Sequence, residues 1–342
     1  MSKVYIIHDV DGKIYFEFLE RFYDVEYLYS RSLRFFIADI IKRKVLSVDK
    51  LKSFFKILFL LISAKNETLI IAIAPGSIKF LLLERLFRRN RIIYHTSWHK
   101  YEPYSPRFNY GIFNNILKKK WLRLITKGKA NIVTVTNKGK VKLSQIFPAN
   151  KIMVIEHPTK LDPLSIDEIN NKYTNSIIYL GRLVPEKGVD LIVRLAENLP
   201  KKFKLQVAGL GPLSVIIKEH RNIKYLGYLE KEPLKVVLSK SNFLILPSLK
   251  TNYWEELFGM SIVEAMSQGV IPICTNHTGP KSIITDKVNG FLFKEEDFLE
   301  GTLELITNLT EDQIKNLQIN CILSSSNYSI QSISKKWKRL IG

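Results

Sequence analysis

The sequence predicts an α/β protein built as two successive units, each a parallel sheet covered on both faces. Three observations carry this. The chain has 342 residues, more than one core holds, because apolar cores stop growing near ~250–300 residues. Its strand-like runs are continuously apolar rather than alternating, the pattern of strands buried on both faces. Those runs alternate with helical patterns, and the rhythm restarts after a polar link at residues 158–175. Hydrophobic residues make up 46% and charged residues 25%, an ordinary globular balance that excludes disorder, collagen-like repeats and disulfide scaffolds.

Residues 4–7 read as an opening strand and 24–28 as a second, with helices at 33–42 and 51–64. Residues 68–74 form a buried strand ended by Pro75-Gly76, followed by a helix through Leu86. Further strands read at 91–94, 131–135 and 152–155. After the link, strand 176–180 leads into a helix at 189–199, and strands follow at 204–208, 223–226, 243–246 and 270–273. A helix spans 260–268, and an amphipathic helix at 328–340 ends the series. The expected domains are 1–160, 161–325 and a terminal helix at 326–342.

Cys274 and Cys321 lie far apart without metal-ligand or CxxC spacing, and read as buried thiols of a reducing cytosol. Asp9, Asp11 and Glu17 interrupt any run a signal peptide would need. The apolar run at 57–64, bracketed by Lys56 and Lys65, falls short of the ~20 residues of a membrane span. The expectation is a cytoplasmic protein that does not cross a membrane.

Charge is uneven. Of the net +20, residues 1–150 carry +17, with 28 Lys and Arg against 11 Asp and Glu, whereas the remainder carries +3. Between Lys79 and Lys151 the only acids are Glu84 and Glu102. Such a half-molecule suits a polyanion. Trp98, Tyr101, Tyr104, Phe108, Tyr110 and Trp121 lie among these cations, which suits an anionic membrane surface and peripheral attachment at the inner face of the cell membrane. Neither an RNP-like aromatic strand nor a Cys/His finger accompanies the charge, so nucleic acid is not the expected partner.

Ligands of open α/β sheets bind at the carboxyl ends of the strands, where three loops stand out. Gly181-Arg182, followed at a distance by Glu186-Lys187-Gly188, precedes a helix. A helix start with two cations beside it suits a diphosphate. Glu256 and Glu264 stand with seven residues between them, around the turn Phe258-Gly259-Met260; the pair can reach different hydroxyls of one extended ligand. Thr275 to Pro280 and Asn289-Gly290 read as turns. Taken singly, each loop also fits a plain strand–helix connection.

In order, Gly-Arg-x3-Glu-Lys-Gly, Gly209-x-Gly211-Pro212, Leu226-Gly227-Tyr228, Leu246-Pro247-Ser248, Glu-x7-Glu, Gly279-Pro280 and Asn289-Gly290 closely resemble the carboxyl-terminal half of family-4 (group 1) retaining glycosyltransferases. The resemblance covers residues 176–293 strongly. It implies the GT-B fold: two Rossmann-like domains facing across a cleft, with a terminal helix crossing back to the first. It implies a hexosyl-type transferase that moves a sugar from a UDP- or GDP-linked donor to a glycan, with retention and no metal.

Position by position, Arg182 and Lys187 match the residues that neutralise the diphosphate, with Gly181 as their turn. Glu256 matches the acid on the hydroxyls of the transferred sugar, Phe258, Gly259 and Met260 the turn whose amides contact sugar and phosphate, and Glu264 the acid on the nucleotide ribose. Gly227 and Tyr228 lie where the base is contacted. Glu255 falls outside the spacing and is expected to be solvated. In the first half, the loop after strand 91–94 opens with His95, with His99 as second choice, where family members carry a functional histidine facing the donor sugar. Three departures stand out: Asp9 to Lys13 lacks the usual glycine pair, Glu156-His157-Pro158 replaces an Asn-Gly turn, and Ser282 replaces an acid.

The basic first domain, with the apolar helix at 51–64, would take a lipid-linked glycan acceptor, as in polysaccharide, capsule or lipopolysaccharide O-antigen assembly. Two other readings remain open: an epimerase or inverting transferase of the same architecture, and a non-enzymatic polyanion-binding protein.

Overall fold

The structure is a computed structural model that describes residues 1–9, 12–29, 48–97, 111–128, 130–171, 175–252 and 254–342. The helix expected at 33–42, the second-choice His99, and Trp98, Tyr101, Tyr104, Phe108 and Tyr110 lie outside the described residues. The chain divides into two units, Met1–Glu156 with Ser334–Gly342, and His157–Ile333.

The first unit runs β1 (Lys3–His8), α1 (Lys13–Phe16), β2 (Asp24–Tyr29), α2 (Val48–Ser63), β3 (Thr68–Ala72), α3 (Glu84–Arg89), β4 (Arg91–Thr96), α4 (Asn114–Lys127), β5 (Asn131–Thr134), α5 (Asn137–Ser144) and β6 (Ile152–Val154). Its strands form one parallel sheet in the order β2-β1-β3-β4-β5-β6. Leu69, Ile70 and Ile71 are all fully buried although successive side chains point to opposite faces, so both faces are covered. Ile57 and Leu60 of α2, Phe80 of the 3-10 turn Ile78–Leu81, Phe87 of α3 and Trp121 of α4 share one core cluster with the sheet. These elements therefore form one layer.

The second unit runs β7 (Ser176–Leu180), α6 (Val189–Asn198), β8 (Lys204–Ala208), α7 (Ser214–Glu219), β9 (Ile223–Gly227), α8 (Lys231–Ser239), β10 (Phe243–Leu246), α9 (Met260–Ser267), β11 (Ile271–Thr275), α10 (Thr278–Ile283), β12 (Phe291–Phe293), α11 (Phe298–Asn308) and α12 (Glu311–Ser325), and the start of α13 (Ile330–Ile341) ends it. Its parallel sheet has the order β12-β11-β10-β7-β8-β9. Strand order reverses between β7 and β10, and the crevice outside their carboxyl ends is where such sheets bind ligands.

Several elements differ from the sequence expectation, and the helix expected after Pro75-Gly76 through Leu86 is the 3-10 turn Ile78–Leu81 followed by the separate α3. β12 forms at the sheet edge, where Asn289-Gly290 reads only as a turn; three residues are too few to show a period. Gly279-Pro280 lies in the first turn of α10 rather than in a loop, since proline near a helix start forfeits no intrahelical hydrogen bond. β4 continues through Thr96, which places His95 inside the sheet opposite Val133.

Ser334–Gly342, the end of α13, completes the first unit. Trp337 is buried edge-on to Phe16, ring centroids 5.7 Å apart, and lies 6.2 Å from His95. The Arg91 guanidinium donates to the carbonyls of Leu340 (2.6 Å) and Ile341 (2.5 Å), satisfying acceptors that a helix end leaves open. Lys336 pairs with Glu156, and the Lys338 ammonium sits 3.7 Å above the Phe22 ring.

Candidate active site

At the β7/β10 switch point two loops are pressed together. Gly188 has φ +70°, and a Cβ there would lie 1.9 Å from the Pro247 carbonyl oxygen; only glycine fits. The Leu249 N–H donates to the Glu186 carbonyl at 2.9 Å. This contact brings Lys187, at the end of the 3-10 turn Pro185–Lys187, into an ion pair with Glu256. Both side chains are largely buried, and Ser248 Oγ stands 3.5 Å from the same carboxylate oxygen. The Lys187 ammonium also lies 5.2 Å from the Trp254 ring centroid, a cation–π contact that motif spacing did not signal.

Arg182 behaves differently. Its side chain is 61% exposed and 3.8 Å from Glu186, so it reaches into solvent beside the buried pair. Its carbonyl accepts the Tyr179 hydroxyl at 2.8 Å, next to Gly181. Desolvation holds the Tyr179 hydroxyl well above its ordinary pKa, reinforced by Glu256. Burial, again with Glu256, pushes the Cys274 thiol up, with Lys187 opposing.

Glu255 is not solvated. It is 5% exposed, accepts the Thr278 N–H at 2.8 Å and the Thr278 hydroxyl, and lies 3.6 Å from the Lys250 ammonium. It thus sits at the N-terminus of α10, where negative charge is favoured. Beside it, the Gly279 N–H donates to the Glu256 carbonyl at 2.8 Å, and a Cβ at Gly279 would lie 2.5 Å from the Phe258 nitrogen. Glu295 accepts the Lys250 N–H at 2.8 Å and pairs with His277 Nε2 at 2.7 Å. The segment that carries Glu256 is therefore fastened to the start of α10 from both sides of that residue.

Phe258 packs its ring edge-on against His157 at 5.3 Å and lies 6.1 Å from Tyr328. The His157 that departs from the family turn is thus a wall of this loop. Gly259, φ +91°, caps α9, and Met260 opens it. Glu264 lies farther along α9; desolvation pushes its carboxyl up to about 7, with Lys160 opposing. Glu256 and Glu264 thus answer to different cations. Gly227 ends β9 with φ +69°, and Tyr228 beyond it is exposed. Ser282 donates to the Gly279 carbonyl at 2.7 Å within α10.

His95 lies elsewhere, in the first unit. Rather than opening a loop, it is buried within β4, with Phe16 edge-on at 5.0 Å and Trp337 alongside. Among the described residues no group of three or more His, Cys, Asp or Glu side chains is placed to hold a metal.

Residues 165–322 match the family model described as glycosyl transferases group 1. That stretch, just under half of the chain, is similar to group 1 glycosyltransferases. The chain is 24% identical over 223 residues to the phosphatidylinositol N-acetylglucosaminyltransferase gpi3 subunit of Schizosaccharomyces pombe, covering 61% of this chain and 48% of that protein. It is 26% identical over 229 residues to the poly(ribitol-phosphate) alpha-N-acetylglucosaminyltransferase of Staphylococcus aureus, covering 56% and 43%. The chain thus spans about half the length of the curated relatives it matches. Anabaena Alr3699/HepE in complex with UDP superposes with a TM-score of 0.67 at 16% identity, covering 100% of this chain and 99% of that one. The fold is GT-B, and the stretch that matches the family model contains the Lys187–Glu256 pair.

Proposed function

We propose that this protein transfers a hexosyl-type sugar from a nucleoside-diphosphate donor to a glycan acceptor with retention of anomeric configuration, and that the acceptor is lipid-linked. The observation that carries the reading is the buried Lys187–Glu256 pair at the switch point, with exposed Arg182 beside it and the start of α9 following. A diphosphate entering there meets Arg182 and draws on Lys187, which leaves Glu256 to accept hydrogen bonds from sugar hydroxyls. As the bond from the anomeric carbon to the phosphate oxygen breaks, negative charge grows on the diphosphate. Both cations and the α9 amides stabilise it without reorganising. The acceptor oxygen bonds to the anomeric carbon on the face the diphosphate leaves, and its proton passes to a departing phosphate oxygen. Glu264 takes the nucleotide ribose, and Gly227-Tyr228 the base.

UDP is the first carrier to test, because the Anabaena protein of this fold was crystallised with it. The α-linked product named for the staphylococcal relative supports retention, and the phosphatidylinositol in the name of the fission-yeast relative supports a lipid acceptor. The test is thermal shift with UDP, GDP, ADP and CMP, repeated on Arg182→Ala. A ligand at ~100-fold its dissociation constant adds about 2.7 kcal/mol, several degrees for a chain of this size. One diphosphate should raise the melting temperature, and Arg182→Ala should lose the rise. No shift with any nucleotide overturns the reading. With radiolabelled donor, product should partition into organic solvent, and NMR of the product should show the donor's anomeric configuration.

A further inference from the structure

The layer formed by α2, the turn Ile78–Leu81, α3 and α4 buries one side against the first sheet. Its other side is not polar. On α2, Ile57 and Leu60 face the core, while Phe55, Phe59 and Ile62 follow one another at helical spacing along the outside. Phe59 is 70% and Ile62 67% exposed. The next element repeats the division: Phe80 and Leu83 are buried, and Ile78, Leu81 and Leu82 are exposed. Arg85 Nη2 donates to the Ile62 carbonyl at 2.8 Å, which joins α3, the helix that follows the second apolar stripe, to the end of α2, which carries the first. Exposed apolar side chains gathered on the outside of one layer mark an interaction site.

The charge around it is mainly positive. Lys52, Lys65, Arg85, Arg88 and Arg89 are exposed on the same elements or at their ends, and Lys56, also exposed, pairs with Glu26 at 2.8 Å. Between residues 48 and 97 the acids are Asp49, Glu67 and Glu84. Glu84 is taken up by Lys120 and by Arg123 at 2.8 Å, with Arg88 3.9 Å away. Lys120 is the largest influence holding the Glu84 carboxyl below its usual range. No described helix is long and apolar enough to cross a membrane.

We propose that this outer face docks on an anionic lipid bilayer. Phe59, Ile62 and the Ile78–Leu82 edge enter the boundary between headgroups and acyl chains, while Lys52, Arg85, Arg88 and Arg89 meet lipid phosphates. The charge selects this partner. A second copy packed face to face would set cations against the same cations. Nucleic acid would match the charge but leave the phenylalanine, isoleucine and leucine side chains without an apolar partner. The docking goes beyond the transfer reading and does not depend on it.

The test is co-sedimentation of the full chain with vesicles of phosphatidylcholine alone and of phosphatidylcholine mixed with phosphatidylglycerol, at low and high salt. The wild type should bind the mixed vesicles, more weakly at high salt, and bind phosphatidylcholine alone poorly. The double variant Phe59→Glu/Ile62→Glu should lose at least ~10-fold in affinity, and Arg88→Glu/Arg89→Glu a similar amount with less salt dependence. Both variants should keep the wild-type melting temperature, monomer mass and nucleotide-induced thermal shift, because the side chains changed are exposed. No binding to the mixed vesicles, equal binding by Phe59→Glu/Ile62→Glu, or a wild-type dimer split by that variant would each overturn the proposal. A failure of the nucleotide shift with vesicle binding intact bears only on the transfer reading.

Discussion

Each unit is a parallel six-stranded sheet with one switch point, and the two close that point differently. In the first unit the residue after β1, Asp9, accepts the Ala74 N–H at 3.0 Å and pairs with Lys79, so the crevice is filled by its own groups. In the second, Lys187 and Glu256 pair across it while Arg182 points to solvent. The cations diverge in the same way. Those of the second unit lie beside carboxylates near the site: Lys187 by Glu256, Lys250 by Glu255, Lys160 by Glu264. In the first, Lys52, Lys65, Arg85, Arg88 and Arg89 are exposed on elements that also expose apolar side chains. One architecture thus carries two surface chemistries, and the difference lies in loops and outer faces rather than in the sheets.

The strongest way to break this contrast is to unpair the second switch point. Lys187→Ala should lower transfer by roughly 10²–10³-fold and, by stranding a buried carboxylate, destabilise the unit by about 3–5 kcal/mol. Lys187→Met with Glu256→Leu should restore the stability, read by chemical denaturation, without the activity. Trp337→Ala tests the other unit. Loss of a fully buried tryptophan should cost about 3–5 kcal/mol in the first unit's unfolding transition, and the nucleotide-bound second unit should melt as before.

Glu264 sharpens the comparison through pH. Its carboxyl, pushed up to about 7, holds a proton that the unfolded chain releases near pH ~4.3. That contribution is complete below pH ~4.3 and disappears as pH rises through about 7. Wild type minus Glu264→Gln stability should therefore fall by about 3 kcal/mol across this window, and a flat difference would remove the buried-acid assignment. Glu255→Ala should cost about 1–3 kcal/mol, because it leaves the Thr278 N–H without its acceptor; a solvated carboxylate would cost about 0.5 or less. Arg182→Ala, exposed as it is, should change stability by no more than ~0.5 kcal/mol while abolishing the nucleotide shift.

The sheets were legible because their strands are short continuous apolar runs between punctuating turns, and every expected strand is present. Lys187 and Glu256 were legible as candidate site residues from the order of the motifs, but their ion pair was not, since it depends on strand order. What escaped was set by partners distant in sequence. Glu255 looks idle until Thr278, 23 residues on, supplies a helix start. Trp254 and His157 become walls of the site only when the chain brings them against Lys187 and Phe258. His95 ends a strand by sequence pattern and lies inside one in the fold, because pairing with β5 continues to Thr96.

Because Ser334–Gly342 belongs to the first unit, a ribosome makes that unit in two instalments separated by the whole of the second. The nascent first unit holds Phe16 and His95 without the Trp337 indole that covers them, and Arg91 without the carbonyls it binds. The second unit can finish folding while its predecessor waits. A stop codon near residue 333, or a bulky tag that displaces α13, would therefore injure the half translated first and spare the half translated last.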